Sequence, residues 1–548
     1  MDGSHERHFL RGVGLTSLGT LVSRVLGLAR DIVTAGLLGL GQGGVMDALV
    51  VALRIPNFSR RVLGEGALAT SFLPVFTREH DRRPDDAWRA LSVLLSALTA
   101  VAVGLVLVGE LACLAWWRLA GAGDSHLIGL TATMLPYLVF ICLAAQLGAA
   151  LQGVGQFRWP AIAPALLNVC WLAAAWLVAP WFAGDKLAQA YVIAGAVLVA
   201  GALQCAVLLP PLYRAGFRFQ FDPHAAWPAL RQTFTAMLPI ALGLAVTQIN
   251  TLVDTLLAVA LAGAPGDRFS LGWFGEYQYP LQTGAAAAIY YGERFYQLPV
   301  GLLGLAIATV IYPSLARHAA RGDRQRIGAD LTTGLRWVLF ASIPAGVGLI
   351  LVAEPLMRVL FVRGAFTELD GQRAAAMIAC YASAAWAYCS LPILVRGFYS
   401  LGDRITPLRV GIVAVITDVV ASLALIGPFA ERGLALSTAV AAVVQFALLA
   451  GLLTRLVPLK WSELRGSLAR ILPATSAMAL VVHAGSRLLL ADELSRMGLL
   501  LATIALIATG AAVYLLVARL LGSSELRLLA GRSSSDVSEV ALAQPVRR

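Results

Sequence analysis

Eight ionisable side chains interrupt an apolar stretch near the start of the chain. Between positions 24 and 76 stand Arg24, Arg30, Asp31, Asp47, Arg54, Arg60, Arg61 and Glu65, in two segments long enough to cross a bilayer. An ionised side chain near a bilayer centre costs about 2.5–3.5 kcal/mol on insertion scales, so it persists where it faces water, a partner or a charged cargo. Glu293 and Arg294 repeat the pattern in YYGERFYQLP. Arg24, Arg30, Arg54, Arg60, Arg61 and Arg294 are six positive charges, set against the four acids Asp31, Asp47, Glu65 and Glu293. A cavity with surplus guanidinium groups expects an anion, and the guanidinium fork matches phosphate or pyrophosphate. The competing reading is structural pairing: Arg61 and Glu65 stand at i, i+4, and Glu293 is within reach of an arginine on another span if the fold brings them together.

Helical geometry orders these residues. Arg24 and Asp31, seven apart, are expected on one face, with Arg30 to the side. Arg54, Arg61 and Glu65 fall at i, i+7 and i+11, and Pro56 is expected to bend the helix beside them. A second, weaker constellation is Asp254, with Gln248 and Asn250 nearby, and Asp418 beside Thr417. Oxygen ligands of this kind suit a coupling Na⁺ or a proton relay, while helix–helix hydrogen bonding is the plainer account.

The elements carrying these residues are membrane spans. The chain has 548 residues, 59% of them hydrophobic and only 13% charged, with mean hydropathy +0.77. Soluble domains carry about 25% charged residues. The net charge of +11 comes from scattered arginines, 40 of the 42 basic residues, without a basic tract, which speaks against nucleic acid. Six cysteines lie in apolar runs without CxxC spacing, and no HExxH, phosphate-binding loop or nucleophile elbow occurs. No enzymatic activity and no cofactor are expected beyond a coupling ion or the membrane potential. The polar N-terminus lacks a small-residue cleavage site, so no cleaved signal peptide is expected.

About twenty apolar residues span the hydrocarbon core. On that rule we expect an all-α polytopic protein of about fourteen transmembrane helices. A lobe at 1–213 holds spans 1–6, and a surface connector follows at 214–231. A second lobe at 232–455 holds spans 7–12, spans 13 and 14 follow in 456–521, and a polar tail occupies 522–548. With an inside N-terminus, inner segments carry 25 Lys and Arg and outer ones eight, so both termini are expected in the cytoplasm. Two echoes link the lobes. ALATSFLP ending at Pro74 matches AIATVIYP ending at Pro313, and GQFRWP (155–160) matches GDRITP (402–407). Each pair is six spans apart, the mark of a parallel repeat suited to alternating access.

SRVLGLARD, followed by MDALVVALRIPNFSRRVLGEGALATSFLPVF, closely resembles the MurJ (MviN) family of lipid II flippases, in the multidrug/oligosaccharidyl-lipid/polysaccharide exporter superfamily. The similarity continues through FRWPAIAPALLNV, YYGERFYQLPVGLLGLAIATVIYPSLARHA, LFVRGAFTELD and RGFYSLGDRITP. The resemblance implies a bacterial inner-membrane transporter that moves the undecaprenyl-pyrophosphate-linked peptidoglycan precursor, lipid II, to the outer leaflet. It also implies a cationic cavity between two six-helix lobes, and an apolar groove at spans 13 and 14 for the polyprenyl tail. Carried over by motif, Arg24, Arg30, Asp47, Arg60, Glu65 and Arg294 are cavity residues, with Asp31, Arg54, Arg61 and Glu293 as supporting charges. Partners in cell-wall synthesis are an expectation of the same kind. Two departures stand out: residues 263–282 lengthen the connection between spans 7 and 8, and Ser422 replaces an Asn common in the family. Export of another lipid-linked oligosaccharide is the nearest alternative. A cation exporter fits poorly with surplus arginine, and a membrane enzyme acting on polyprenyl phosphate lacks its clustered acids. A non-transporting scaffold would have lost the arginines.

Overall fold

The computed structural model describes residues 3–64, 66–120, 125–264, 266–270, 276–489 and 494–526. Two compact units emerge. The first comprises Met1–Ala288 with Phe361–Asp370, the second Ile289–Leu360 with Gly371–Arg548. In the first unit lie α1 (Gly3–Leu38), α2 (Val45–Ser59), α3 (Ala67–Arg82), α4 (Pro84–Ala120), α5 (Ser125–Met134), α6 (Tyr137–Gly153), α7 (Arg158–Ala173), α8 (Lys186–Arg214) and α9 (Pro223–Ala260). Here α1 packs on α7, α2 on α5, α3 on α6 and α9, and both α6 and α7 on α8.

Helix α10 (Ala285–Pro299) begins in the first unit and continues into the second. The second unit is built from α11 (Ala306–Ala320), α12 (Arg324–Leu360), most of α13 (Glu368–Ala382), α14 (Ala385–Ser400), α15 (Ile405–Phe429), α16 (Glu431–Leu456), α17 (Trp461–Leu489) and α18 (Arg496–Leu520). Its core centres on α12, which packs on α14, α17 and α18; Leu331, Leu335 and Val338 of α12 share one buried cluster with Ile393, Met478 and Tyr514. Burial of such side chains orders a helix bundle even where its outer face meets lipid. Tyr514 closes this core by donating to the Phe340 carbonyl at 2.6 Å.

Among the described residues, eleven helices are long and apolar enough to cross a membrane, or twelve if the bent pair α13–α14 is one span. Neither α1 nor the α2–α3 segment is among them. A π-turn at Arg60–Gly64 divides the latter segment into helices of 15 and 16 residues.

Both sequence echoes coincide with a shared local device. A π-helical turn precedes the Ala-x-Ala-Thr start of α3 at Arg60–Gly64 and that of α11 at Val300–Leu305. In the second echo, Gly155 and Gly402 take φ of +77° and +81° at the ends of α6 and α14. Glycine adopts that left-handed conformation without a Cβ clash, and the prolines that follow, Pro160 and Pro407, each sit at the third position of the next helix.

The connector expected at 214–231 is shorter in the structure. Asp222 accepts from the Ala225 N–H at 3.1 Å and Pro223 occupies the first turn, so α9 already starts there. By its packing on α3 and α4 this helix belongs to the first unit, whereas the span pattern grouped it with the second six. The described residues of the 263–282 segment form no helix. Strand β1 (Ala262–Gly263) pairs in parallel with β4 (Leu281–Gln282), and β2 (Arg268–Ser270) pairs antiparallel with β3 (Glu276–Gln278). The polar tail starts docked: Ser523 and Glu525 are each 2% exposed. Residues 527–548 lie outside the described part.

Candidate functional site

Arg30 is held by three side chains. Its Nη2 and Nε donate to Asp31 Oδ1 at 2.8 and 3.1 Å, its Nη1 donates to Asn168 Oδ1 at 3.1 Å, and the guanidinium lies 4.9 Å from the centre of the Trp171 ring. Asn168 and Trp171 stand one turn apart on α7, which is why both meet α1. Trp171 Nε1 donates to Thr34 Oγ1 at 2.8 Å, and Thr34 Oγ1 donates to the Arg30 carbonyl at 2.8 Å. The amide of Asn168 donates in turn to the Ser23 carbonyl at 3.1 Å. Asp31 therefore meets its chain neighbour Arg30, although helical spacing pointed it along the face of Arg24. Arg24 is exposed and makes no ion pair among the described residues. The result is one oriented guanidinium and one open guanidinium, two turns apart on one helix.

In α2 the expected bend at Pro56 is displaced. The helix passes through Pro56 and widens at Arg60–Gly64, where the Arg60 N–H is shared between the Pro56 and Asn57 carbonyls. A π-turn holds more residues per turn than an α-helix, so the simple i, i+7 alignment of Arg54 with Arg61 does not carry through. Arg54 and Arg60 are half-buried, and Arg61 is exposed. Gln146, fully buried on α6, donates to the Gly64 carbonyl at 2.9 Å and satisfies the turn. Glu65 lies outside the described residues.

Asp47 has a different place from the arginines. It is 4% exposed, and its two carboxylate oxygens accept from the backbone N–H groups of Gly284 at 2.6 Å and Ala287 at 2.8 Å. That is an N-terminal cap for α10 supplied from 237 residues away. Unsatisfied N–H groups and the helix dipole both favour a carboxylate at this point. Gly284, at φ +92°, lies so close to Leu40 and Gly41 that an added Cβ would meet their backbone at 2.9 Å. The acid thus holds the start of the helix that carries Glu293 and Arg294.

In the second unit, Glu293 is buried and Arg294 is exposed. Arg294 Nη2 donates to the Tyr290 hydroxyl at 2.5 Å, and its guanidinium stacks 4.7 Å from the centre of that ring. The candidate coupling residues fall in both units. Asp254 is buried in the first unit and Asp418 in the second. Thr417 donates to the Val413 carbonyl at 2.8 Å. One turn along α15 from Asp418, Ser422 shares a 2.7 Å hydrogen bond with Ser437 of α16. No cluster of three His, Cys, Asp or Glu side chains suited to a metal occurs among the described residues.

Three intramembrane arginines were not singled out by the sequence reading: Arg336, Arg373 and Arg396. Their signal was present, because each interrupts an apolar span as Arg24 does. Arg336 donates from Nε to Glu525 at 2.9 Å and from Nη1 to Glu463 at 3.2 Å. Arg373 forms a two-bonded pair with Glu431 at 3.0 and 2.7 Å.

Comparison with known proteins assigns the chain. A family model described as lipid II flippase MurJ matches residues 38–505. A probable lipid II flippase MurJ of Vibrio cholerae is 34% identical over 465 residues, covering 81% of this chain and 82% of the relative. The lipid II flippase MurJ of Burkholderia cenocepacia is 30% identical, covering 78% and 81%. The fold matches a solved lipid II flippase MurJ in an inward closed conformation, with TM-score 0.71 at 20% identity over 92% of this chain and 98% of that one. It also matches an inward-facing multidrug resistance MATE family transporter of the MOP superfamily, with TM-score 0.61 at 14% identity over 81% and 98%. This multi-span, all-helical membrane protein belongs to the lipid II flippase MurJ family, a family of transporters.

Proposed function

We propose that the protein flips lipid II from the inner to the outer leaflet of the bacterial cytoplasmic membrane by alternating access. The observation that carries this reading is the arginine pair of α1. Arg30 is oriented by Asp31, Asn168 and Trp171, while Arg24 on the same helix is left open. A guanidinium fixed in place by neighbours loses little freedom when it binds a pyrophosphate, and an open one beside it supplies charge. Arg54, Arg60, Arg61 and Arg294 extend the set. Asp47, in the first turn of α2, caps the first turn of α10, the helix that carries Arg294; Glu65, Asp31 and Glu293 tune the charge.

The 25-to-eight distribution of Lys and Arg supports cytoplasmic termini. The same surplus of positive charge supports coupling to the membrane potential. An inside-negative potential is worth about 2.3 kcal/mol per charge per 100 mV, and it draws an emptied arginine cavity back toward the inner face. Asp254, Asp418 and Thr417 are the residues a Na⁺ or proton cycle would use. Contacts with cell-wall synthesis proteins fit this role.

The test is to deplete the native lipid II flippase of a bacterial host and supply this chain. Growth is expected with the wild type, and loss of growth with well-inserted Arg24→Ala, Arg30→Ala and Arg294→Ala. Rescue by all three variants would sink the site. Failure of an inserted wild type would move the cargo to another lipid-linked oligosaccharide.

A further inference from the structure

A second candidate anion site lies wholly within the second unit. Helices α11 and α14 form an open cavity of about 510 Å³ lined by Thr309, Tyr312, Pro313, Pro392, Val395, Arg396 and Tyr399. Arg396 is its only charged lining residue. The guanidinium lies 5.9 Å from the centre of the Tyr312 ring, and its Nη1 is buried without an acceptor. No carboxylate among the described residues pairs with it. That sets Arg396 apart from Arg336 and Arg373, each of which is bonded to glutamates. Arg396 is half-buried, but a buried guanidinium N–H without an acceptor is costly, and an anion entering the cavity removes that cost.

The walls say what kind of anion. Tyr312 and Tyr399, 38% and 43% exposed, line the same cavity as the arginine and bring phenol hydroxyls to its walls as candidate donors. Hydroxyl donors beside a guanidinium fork suit the three oxygens of a phosphoryl group. The remaining lining is proline, valine and aromatic ring, which suits hydrocarbon. A volume of about 510 Å³ is in the range that holds a whole small ligand, well beyond a bare phosphate. We propose that the Arg396 cavity is a subsite for the phosphate ester of an amphiphile, either a membrane phospholipid or a prenyl pyrophosphate. Its lining residues all belong to the second unit, and the proposal does not depend on which cargo the protein moves.

Purified full-length protein in detergent would be titrated with dioleoyl phosphatidic acid, farnesyl pyrophosphate, dioleoyl phosphatidylcholine and inorganic phosphate. Bound species would be counted by native mass spectrometry, and thermal stability would be recorded for every variant. Arg396→Gln is expected to weaken the tightest phosphatidic acid or farnesyl pyrophosphate adduct at least tenfold. Arg396→Lys should weaken it less, because charge remains while the fork is lost. Phosphatidylcholine binding should change less than twofold, and Arg24→Ala should leave the adduct intact. The tighter of the two phosphate amphiphiles identifies the source. Competition by inorganic phosphate at equal concentration would overturn the requirement for an amphiphile. Unchanged binding by Arg396→Gln would overturn the site. Should that variant fail to fold, Thr309→Trp fills the cavity and retains the arginine, and wild-type binding by it overturns the site equally. Failure of the wild type to restore growth would count against the flippase reading alone.

Discussion

Arg336 of α12 and Arg24 of α1 are the same residue, yet their surroundings are opposite. Arg336 donates to Glu525, Glu463 and Ser524, and its side chain is only 18% exposed. Arg24 is exposed and makes no ion pair among the described residues. An arginine enclosed by carboxylates is structural, because removing one partner strands the other charge in a poorly solvated place. An arginine left open in a membrane-spanning segment costs energy in the resting fold and has something to gain from a ligand. Residue type and hydropathy do not separate these cases; the partner does.

Arg336→Ala should break the enclosed side of this comparison most strongly. Loss of the guanidinium strands Glu525, and a fall of about 3–5 kcal/mol is expected in the stability of the second unit. A lower unfolding temperature in detergent is the check; a shift under 1 °C would remove Arg336 from the structural class.

Acid should do the same more gradually. Burial pushes the Glu525 carboxyl up, but hydrogen bonds from its own backbone N–H, Ser523, Ser467 and Arg336 outweigh this and hold it at about 2. The folded value lies below the ordinary one of 4.5, so the contribution is complete above that pH and is lost as pH falls toward about 2. The full span is worth on the order of 3 kcal/mol. Stability measured between those limits should decline, and Glu525→Gln should flatten the decline.

Asp47→Asn is the intermediate case. It keeps the shape of the side chain but removes the charge from the α10 N-terminus, for about 1 kcal/mol. Hydrogen exchange at the Gly284 and Ala287 amides should accelerate about fivefold. Unchanged exchange would argue against the cap.

Arg24→Ala should have the smallest effect on stability, within about 0.5 kcal/mol, while abolishing growth rescue. A stability loss comparable to that of Arg336→Ala would erase the distinction between the two arginines.

Much of this was legible in order along the chain. Charges in Arg24–Phe76 stand out because hydrocarbon tolerates them poorly, and Gly155 and Gly402 stand out because helix ends use glycine locally. The spans after the charged first stretch followed from the length of apolar runs, and the family from a long specific motif. Other features have no local signature. Asp31 turned to Arg30 because α7 brings Asn168 and Trp171 alongside. Asp47 found its partner at Gly284, and Arg336 at Glu525, 189 residues apart. The charged inventory, the helical spans and the repeat were set by sequence alone, since each depends on residue chemistry and spacing within a few turns. Which arginines became scaffold and which stayed open was decided by tertiary packing, because an ion pair depends on which helix faces meet, and hydropathy does not encode that.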